Sequence, residues 1–258
     1  MTVSGTLYSN TECLFTTLLL MTHFVSLGDR LRPKDWLKMY LKTERNRMDQ
    51  KKSIGILRRA GAIIGNGHFV YKSGKHGSAY VNKDVLYLHP EDTTLVCLVL
   101  ANLFSRDSVE VVVGPMIGGI ILSQHTALRL RKITHHQILS VYAEKTDDCE
   151  GFVIKRGYDK VVSGKRVLVV EDVLTTGASA RKTVEAVRAV GGEVVGVGAI
   201  CNRGGVTAED VGNVPRLEVL MNIDFESWDE SECPLCKQGV PINTDVGHGA
   251  EFLARLKA

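Results

Sequence analysis

Two adjacent carboxylates stand next to a short loop that is rich in hydroxyl groups. Glu171 and Asp172 follow the apolar run 167–170, and the loop 175–179 comes directly after them. In open α/β sheets ligands bind beyond the carboxyl ends of the strands, and backbone N–H groups at a helix N-terminus attract anions. Because carboxylates repel an anion, the pattern predicts a sugar phosphate, with its phosphate on the loop and its hydroxyls on the acids. The alternative is an ordinary strand–turn–helix with solvent-exposed acids.

A glycine-rich turn at 114–119 is a second candidate phosphate site. It follows an apolar run, and Gly114, Gly118 and Gly119 have no side chain that would keep a pyrophosphate from the backbone amides. A plain strand-to-helix turn is the alternative. Four cations are candidates for neutralising pyrophosphate oxygens, although each alone is typical of a solvated surface charge: Lys72, Lys145, Lys155 and Arg156.

The elements that must position these residues alternate along the chain. Apolar runs bounded by turn residues indicate strands, and apolar residues at helical spacing indicate helices. Strands are predicted at 68–71, 78–81, 109–113, 138–142, 166–170 and 194–200, with a polar turn at 73–77 between the first two. Helices are predicted up to Gly61, at 90–104, from the glycine turn to about 130, and at 178–190. This order favours an α/β fold with a mainly parallel central sheet flanked by helices.

Composition excludes several classes of protein. The 258 residues are 44% hydrophobic and 24% charged, which is ordinary for globular domains and unlike disordered, collagen-like or disulfide-scaffold chains. A net charge of +3 gives no polyelectrolyte signature, so no nucleic-acid partner is expected. Six unevenly spaced cysteines favour a reducing cytoplasm. The uncharged run 13–28 is too short for a membrane span, so no membrane association is expected.

Residues 1–48 differ from the rest of the chain. An apolar, threonine-rich stretch leads into a basic run over 30–47. We interpret 1–48 as an N-terminal extension of unknown role and 49–258 as one domain. An extra helix, a loose tail or an upstream extension with the natural start at Met39 or Met48 remain open. A solvated helix face explains the basic run better than nucleic-acid binding does.

The motif at 167–179 resembles the phosphoribosyl pyrophosphate (PRPP) binding motif of the type I phosphoribosyltransferases. More narrowly, the chain from about Asp49 onward resembles the orotate phosphoribosyltransferases. The further segments that carry this resemblance are 69–74, 113–119, 142–145, 155–158, 202–205 and 233–236. The resemblance implies the type I phosphoribosyltransferase fold, with a small hood built from N- and C-terminal segments. It also implies a homodimer and a mobile loop at about 143–157.

The resemblance further implies a role for each site residue. Lys145, Asp172 and Glu171 are expected to be catalytic, and Thr175 and Arg203 to bind orotate through its base and carboxylate. The PRPP-binding set is expected to be Lys72, Gly114, Gly118, Gly119, Lys145, Glu171, Asp172, Val173, Leu174, Thr175, Thr176, Gly177, Ala178 and Ser179. Mg²⁺ is the expected cofactor, held by ligand oxygens, and no metal site made of protein side chains is expected.

Three questions stay open at this level. Ile117-Gly118 and Glu144-Lys145 depart from the pattern of some family members, which leaves the main loop cation undetermined. Cys233 and Cys236 form a C-x-x-C pair that fits structural thiols, a redox pair, or half a zinc site completed by Cys201 and His248, although that spacing matches no standard zinc site. Transfer to another base, and a PRPP-sensing regulator, are the alternatives to orotate phosphoribosyl transfer.

Overall fold

A six-stranded sheet forms the centre of the computed structural model, which describes residues 51–71, 73–223 and 225–256. The predicted extension at 1–48 and the predicted pyrophosphate ligand Lys72 lie outside these residues. The strand order is β10-β9-β8-β5-β6-β7, parallel throughout except for the antiparallel pair β6–β7. Its strands are β5 (Val111–Pro115), β6 (Leu139–Lys145), β7 (Phe152–Val153), β8 (Arg166–Leu174), β9 (Glu193–Asn202) and β10 (Leu217–Asn222). The predicted fold class is confirmed.

Helices cover both faces of this sheet. The helices of the described residues are α1 (51–59), α2 (Lys83–Tyr87), α3 (Pro90–Phe104), α4 (Gly118–Thr134), α5 (Tyr158–Val162), α6 (Ala178–Ala189), α7 (Pro234–Lys237) and α8 (Gly249–Leu256). Pro90 occupies the first turn of α3, where its missing N–H has no intrahelical partner to lose. Gly61 ends the first helical segment with φ +73°, as predicted for a left-handed cap. Within the described residues, no helix is long and apolar enough to cross a membrane.

Alternating side chains of the central strands form two cores, one on each face of the sheet. Val112 and Leu168 pack with the core that contains α3 and α4, whereas Val111 and Val167 pack with the core that contains α6. Successive side chains of a strand point to opposite faces, so a strand covered on both sides must be apolar at every position. This requirement explains why positions 111–113 and 167–170 are apolar without exception.

A second, smaller sheet forms the hood. Its strands are β2 (Phe69–Val70), β3 (His76–Gly77) and β11 (Ser227–Trp228), antiparallel in the order β11-β3-β2. Two further short strands, β1 (Ile63–Ile64) and β4 (Tyr80–Val81), form a separate antiparallel pair. They flank β2 and β3 along the chain. The hood therefore joins segments from early and late in the described chain.

Several predicted elements differ from the structure. The predicted polar turn at 73–77 was wrong for His76 and Gly77, because these residues form β3 and pair with β2. Strand β8 continues to Leu174, so the acidic pair belongs to the strand itself. Strand β10 was not predicted, since its polar and apolar residues alternate too weakly to stand out.

Leu168 provides a test of the core on the α3 and α4 face. Its side chain is fully buried, so Leu168→Ala is expected to lower the free energy of unfolding by about 2–5 kcal/mol. Leu128→Ala is the matched control, because Leu128 is 47% exposed and its truncation is expected to change stability by less than about 0.5 kcal/mol. Urea unfolding of both variants measures the difference. Equal losses would contradict this account of the core.

Candidate active site

The two carboxylates lie at the carboxyl end of β8 and are both buried. Glu171 is 6% exposed and Asp172 is 7% exposed, which excludes the alternative of solvent-exposed acids. Asp172 Oδ1 accepts a hydrogen bond from the Val173 backbone N–H at 2.7 Å. Glu171 Oε1 accepts one from the Asp172 N–H at 3.1 Å, whereas its Oε2 is buried without a partner among the described residues. Buried polar atoms are normally paired, so this oxygen is available to a ligand.

Two residues that sequence reasoning did not select hold Asp172 in place. The Lys83 ammonium lies 2.9 Å from Asp172 Oδ2, and the Tyr87 hydroxyl donates to the same oxygen at 3.3 Å. Both residues belong to α2, which Asn82 caps by accepting a hydrogen bond from the Asp84 N–H. The only sequence signal was this cap, because a lysine in a short polar segment is typical of a surface charge.

Burial and charge shift the pKa values of this group in a consistent way. Burial raises the pKa of Glu171, and the adjacent Asp172 carboxylate raises it further. Burial lowers the pKa of Lys83, but the Asp172 and Asp84 carboxylates together outweigh burial, so this pKa lies above its ordinary value. The cluster therefore favours a Lys83 ammonium beside the Asp172 carboxylate and a proton on Glu171. This arrangement limits the negative charge that must be buried.

The loop 175–179 forms an open rim directly after the acids. Thr175, Thr176 and Ser179 are exposed, and the loop turns into α6 through Gly177 at φ +75°. A Cβ at Gly177 would also lie 2.9 Å from Val206 Cγ1, so both conformation and space require glycine. The rim thus presents hydroxyls and free N–H groups at the start of a twelve-residue helix, as an anion site needs.

The glycine turn 114–119 lies against the acidic pair. A Cβ on Gly118 would lie 2.1 Å from Asp172 Oδ2, and a Cβ on Gly114 would lie 2.0 Å from the Gly119 carbonyl oxygen. The peptide between Met116 and Ile117 is cis. Ile117 is 76% exposed at the tip of the turn. The absence of a side chain at Gly118 therefore lets this backbone approach Asp172. Binding of pyrophosphate by the turn stays a prediction.

Arg203 and Thr175, the two predicted orotate ligands, are brought together. Arg203 Nη2 donates to Thr175 Oγ1 at 3.1 Å, and the Arg203 N–H donates to the Leu174 carbonyl at 2.8 Å. The Arg203 guanidinium also lies 5.3 Å from the centre of the Tyr71 ring. Buried Asn202 fixes the following turn through its side-chain amide, which accepts from the Val206 N–H and donates to the Val206 carbonyl.

Lys145 lies at the end of β6, with an exposed side chain. It pairs with Phe152 in the antiparallel β6–β7 hairpin, so part of the segment predicted as a mobile loop forms regular structure. Arg156 makes an ion pair with Glu144, and Lys155 Nζ lies 3.4 Å from Asp147 Oδ1. Mobility of the loop stays a prediction.

Comparisons with known proteins agree with this geometry. The phosphoribosyl transferase domain family matches residues 99–231. The orotate phosphoribosyltransferase of Thermotoga maritima is 41% identical over 194 residues, covering 75% of this chain and 97% of its relative. That of Caldanaerobacter subterraneus subsp. tengcongensis is 36% identical over 195 residues, covering 76% and 96%. The chain belongs to the orotate phosphoribosyltransferase family.

Solved structures of orotate phosphoribosyltransferases share its fold. The enzyme of Mycobacterium tuberculosis aligns with a TM-score of 0.53 and 27% identity, covering 68% of this chain and 97% of that one. An adenine phosphoribosyltransferase from Rhodothermus marinus aligns with a TM-score of 0.50 at 22% identity, covering 67% and 99%. Since phosphoribosyltransferases named for different bases share the fold, the fold alone does not determine the base.

The raised pKa of Glu171 predicts how stability depends on pH. The folded protein binds this proton more tightly than the unfolded chain does. The contribution of Glu171 to the free energy of unfolding therefore falls as the pH rises above about 4.3. Glu171→Gln removes this loss, so the variant is expected to gain stability relative to the wild type with rising pH. Urea unfolding over a pH series measures the gain.

Glu110→Gln is a control for which the expected change in stability with pH has the opposite sign. Hydrogen bonds from Lys165 and the Arg166 N–H lower the pKa of the exposed Glu110, so its contribution is present above about pH 4.3 and is lost as the pH falls through the lowered pKa. That variant is expected to lose a little stability relative to the wild type as the pH rises. A Glu171→Gln difference that does not change between about pH 5 and 8 would contradict the assignment.

Proposed function

We propose that this protein transfers the 5-phosphoribosyl group from PRPP to orotate, in the synthesis of pyrimidine nucleotides. A ring nitrogen of orotate forms a bond to C1 of the ribose, and the bond from C1 to the pyrophosphate oxygen breaks. The products are orotidine 5′-monophosphate and pyrophosphate. The observation that carries the proposal is the contact of Arg203 with Thr175, at the rim of a loop that follows two buried carboxylates.

The acids and the rim together suit PRPP. The free Glu171 Oε2 and the anchored Asp172 carboxylate are acceptors for ribose hydroxyls. The rim 175–179 offers hydroxyls and N–H groups to the 5-phosphate, which the start of α6 attracts. Val173 and Leu174 connect the two parts. The negative charge beside the ribose also stabilises the positive charge that builds on C1 as pyrophosphate leaves.

Three groups are proposed for the pyrophosphate. The glycine turn 114–119 supplies backbone amides beside Asp172, and Lys145 supplies a flexible cation from the end of β6. Lys72 follows Tyr71 in sequence and is proposed as a second cation on the basis of the family resemblance. Together these groups stabilise the charge that develops on the leaving group.

Orotate is proposed to bind between Arg203, Thr175 and Tyr71. A guanidinium pairs with a carboxylate through two parallel hydrogen bonds, which a base without a carboxylate cannot form. The Tyr71 hydroxyl donates to the Ala79 carbonyl at 2.6 Å, which holds the ring under Arg203. These contacts favour orotate over another base, and favour catalysis over a purely PRPP-sensing role.

Mg²⁺ is proposed as the cofactor, and the residues present fit a metal carried mainly by substrate. Asp172 already pairs with Lys83, and within the described residues this edge of the sheet offers no group of three or more metal-binding side chains. Glu171 Oε2 is the oxygen of this acidic pair that is left free for Mg²⁺ or for a water molecule bound to Mg²⁺. When bound, Mg²⁺ neutralises pyrophosphate oxygens and so favours departure of the leaving group.

The family also suggests the setting in which the enzyme works. We propose a cytoplasmic homodimer in which loop 143–157 closes over the site, and 1–48 as an extension outside the catalytic domain. The C-x-x-C pair and the small-molecule substrates are compatible with a reducing compartment.

Asp172→Asn tests the proposed PRPP site. The amide keeps the shape of the side chain but loses charge-assisted hydrogen bonds. We expect kcat/KM for PRPP to fall by roughly 10- to 100-fold, corresponding to about 1.5–3 kcal/mol. Steady-state kinetics measures this loss, and circular dichroism checks the fold. Glu185→Gln, on the exposed face of α6, is the control and should retain activity. Wild-type kinetics for a folded Asp172→Asn would refute the role.

Arg203→Ala tests the choice of orotate. Losing the charged partner of the carboxylate is expected to cost about 1.5–3 kcal/mol, or roughly 10- to 100-fold in kcat/KM for orotate. PRPP affinity, measured by calorimetry, should change little because other residues hold it. The exposed Arg131→Ala serves as the control. Equal losses for both substrates would mean that Arg203 supports the site generally, and no loss for either would remove it from the orotate site.

A further inference from the structure

The side chains of the C-x-x-C pair lie next to two histidines in the hood. Sequence reasoning offered Cys201 and His248 to complete a metal site. Neither belongs to the cluster that the structure forms, because Cys201 lies in β9 and the His248 ring pairs with Glu251. The cysteines instead lie beside two other residues of the described chain, and the four members are His68, His76, Cys233 and Cys236.

The ligand atoms of this cluster converge on one point. All four lie within 4.8 Å of one another. Cys236 Sγ is 3.3 Å from His76 Nδ1 and 3.7 Å from His68 Nε2. Cys233 Sγ is 3.6 Å from His68 Nε2, and the two imidazole nitrogens are 2.8 Å apart.

The nitrogen–sulfur separations in the cluster match those around a tetrahedral zinc ion. With Zn–N of about 2.05 Å and Zn–S of about 2.3 Å, tetrahedral geometry separates nitrogen from sulfur by about 3.6 Å and the two nitrogens by about 3.3 Å. The nitrogen–sulfur distances of 3.3, 3.6 and 3.7 Å lie around that value. The two histidines need to separate by only about 0.5 Å to accommodate the ion.

A backbone carbonyl orients the first histidine as a ligand. His68 Nδ1 lies 2.8 Å from the Val240 carbonyl oxygen, which can only accept a hydrogen bond. The proton of a neutral His68 therefore sits on Nδ1, and Nε2 presents its lone pair to the cluster. Metal-bound histidines commonly have such a partner on the other ring nitrogen.

Three members of the cluster are shielded from solvent. His68, His76 and Cys233 are 1%, 0% and 0% exposed. His76 Nε2 has no hydrogen-bond partner among the described residues, so hydrogen bonding alone does not account for burying this ring. Four protein ligands leave no position for water or substrate, which is the arrangement of a structural zinc site.

The local backbone also suits a metal knuckle. Cys233 caps the short helix α7, and its carbonyl accepts from the Lys237 N–H at 3.2 Å. The chain then turns at Gly239, at φ +69°, whose N–H donates to the Cys236 carbonyl at 3.0 Å. The turn returns the chain to Val240, the carbonyl that orients His68.

We propose that His68, His76, Cys233 and Cys236 bind one structural zinc ion that holds the hood together. The hood strands are only two residues long, and a sheet of that size is not stable without further support. The ion joins segments separated by 160 or more positions in the sequence. This proposal replaces the expectation that the chain's own side chains hold no metal.

Metal content and cobalt spectroscopy of the full-length protein test the site. Protein purified without chelators is expected to contain one zinc per chain by elemental mass spectrometry. Replacing zinc by Co²⁺ is expected to give intense visible bands of a tetrahedral site and near-ultraviolet thiolate-to-cobalt charge transfer. Removing the metal with a strong chelator should lower the Tm by more than about 5 °C, with recovery when zinc is restored.

Matched cysteine variants assign the ligands. Cys233→Ser and Cys236→Ser are expected to lose zinc and the cobalt charge-transfer band, whereas Cys149→Ser, an exposed thiol outside the cluster, should keep both. Three results would overturn the proposal: folded wild-type protein that takes up neither Zn²⁺ nor Co²⁺ in its reduced form, full zinc retention in both variants, or a Cys233–Cys236 disulfide in freshly purified protein. The wild-type cobalt spectrum decides the question even if a variant does not fold.

Discussion

The burial of two adjacent carboxyl groups at the end of β8 is the constraint on which the site depends. Asp172 has direct partners in Lys83 and Tyr87, whereas Glu171 Oε2 has no hydrogen-bond partner among the described residues. Asp172 is balanced by Lys83, and burial favours a proton on Glu171. The central strand can therefore end in two acids without an uncompensated double charge. Helix α2 carries Lys83 and is positioned by this requirement.

Close backbone approach brings the remaining parts of the site to the acids. A side chain at Gly118 would meet Asp172, and a Cβ at Gly204 would lie 1.7 Å from the Thr175 carbonyl oxygen. The turn after β5 and the turn after β9 therefore pack directly on β8 and its loop. Arg203 immediately precedes one of these glycines, so its position depends on a contact between backbones.

The parts of the fold that could be predicted from the sequence are those with strong local signals. The apolar run before Glu171 identified the central strand, and the cap at Gly61 identified a helix end. The partners of β3 and the role of Lys83 were not predictable, because both depend on contacts between distant segments. The prediction for His76 failed because its sequence neighbours are polar, whereas its partners are His68 and Val70 earlier in the chain and Trp228 and Cys236 much later in it.

The hood has a consequence for how the protein is made. Strands β2 and β3 are synthesised early, but β11, both cysteines and Phe252, whose ring lies 4.8 Å from that of His76, come near the end of the chain. On the ribosome, the central sheet can form while the hood still lacks its third strand. His248, whose N–H donates to the Val70 carbonyl next to Tyr71, also belongs to these late segments. A nascent chain that has completed the loop 175–179 therefore still lacks the third strand of its hood.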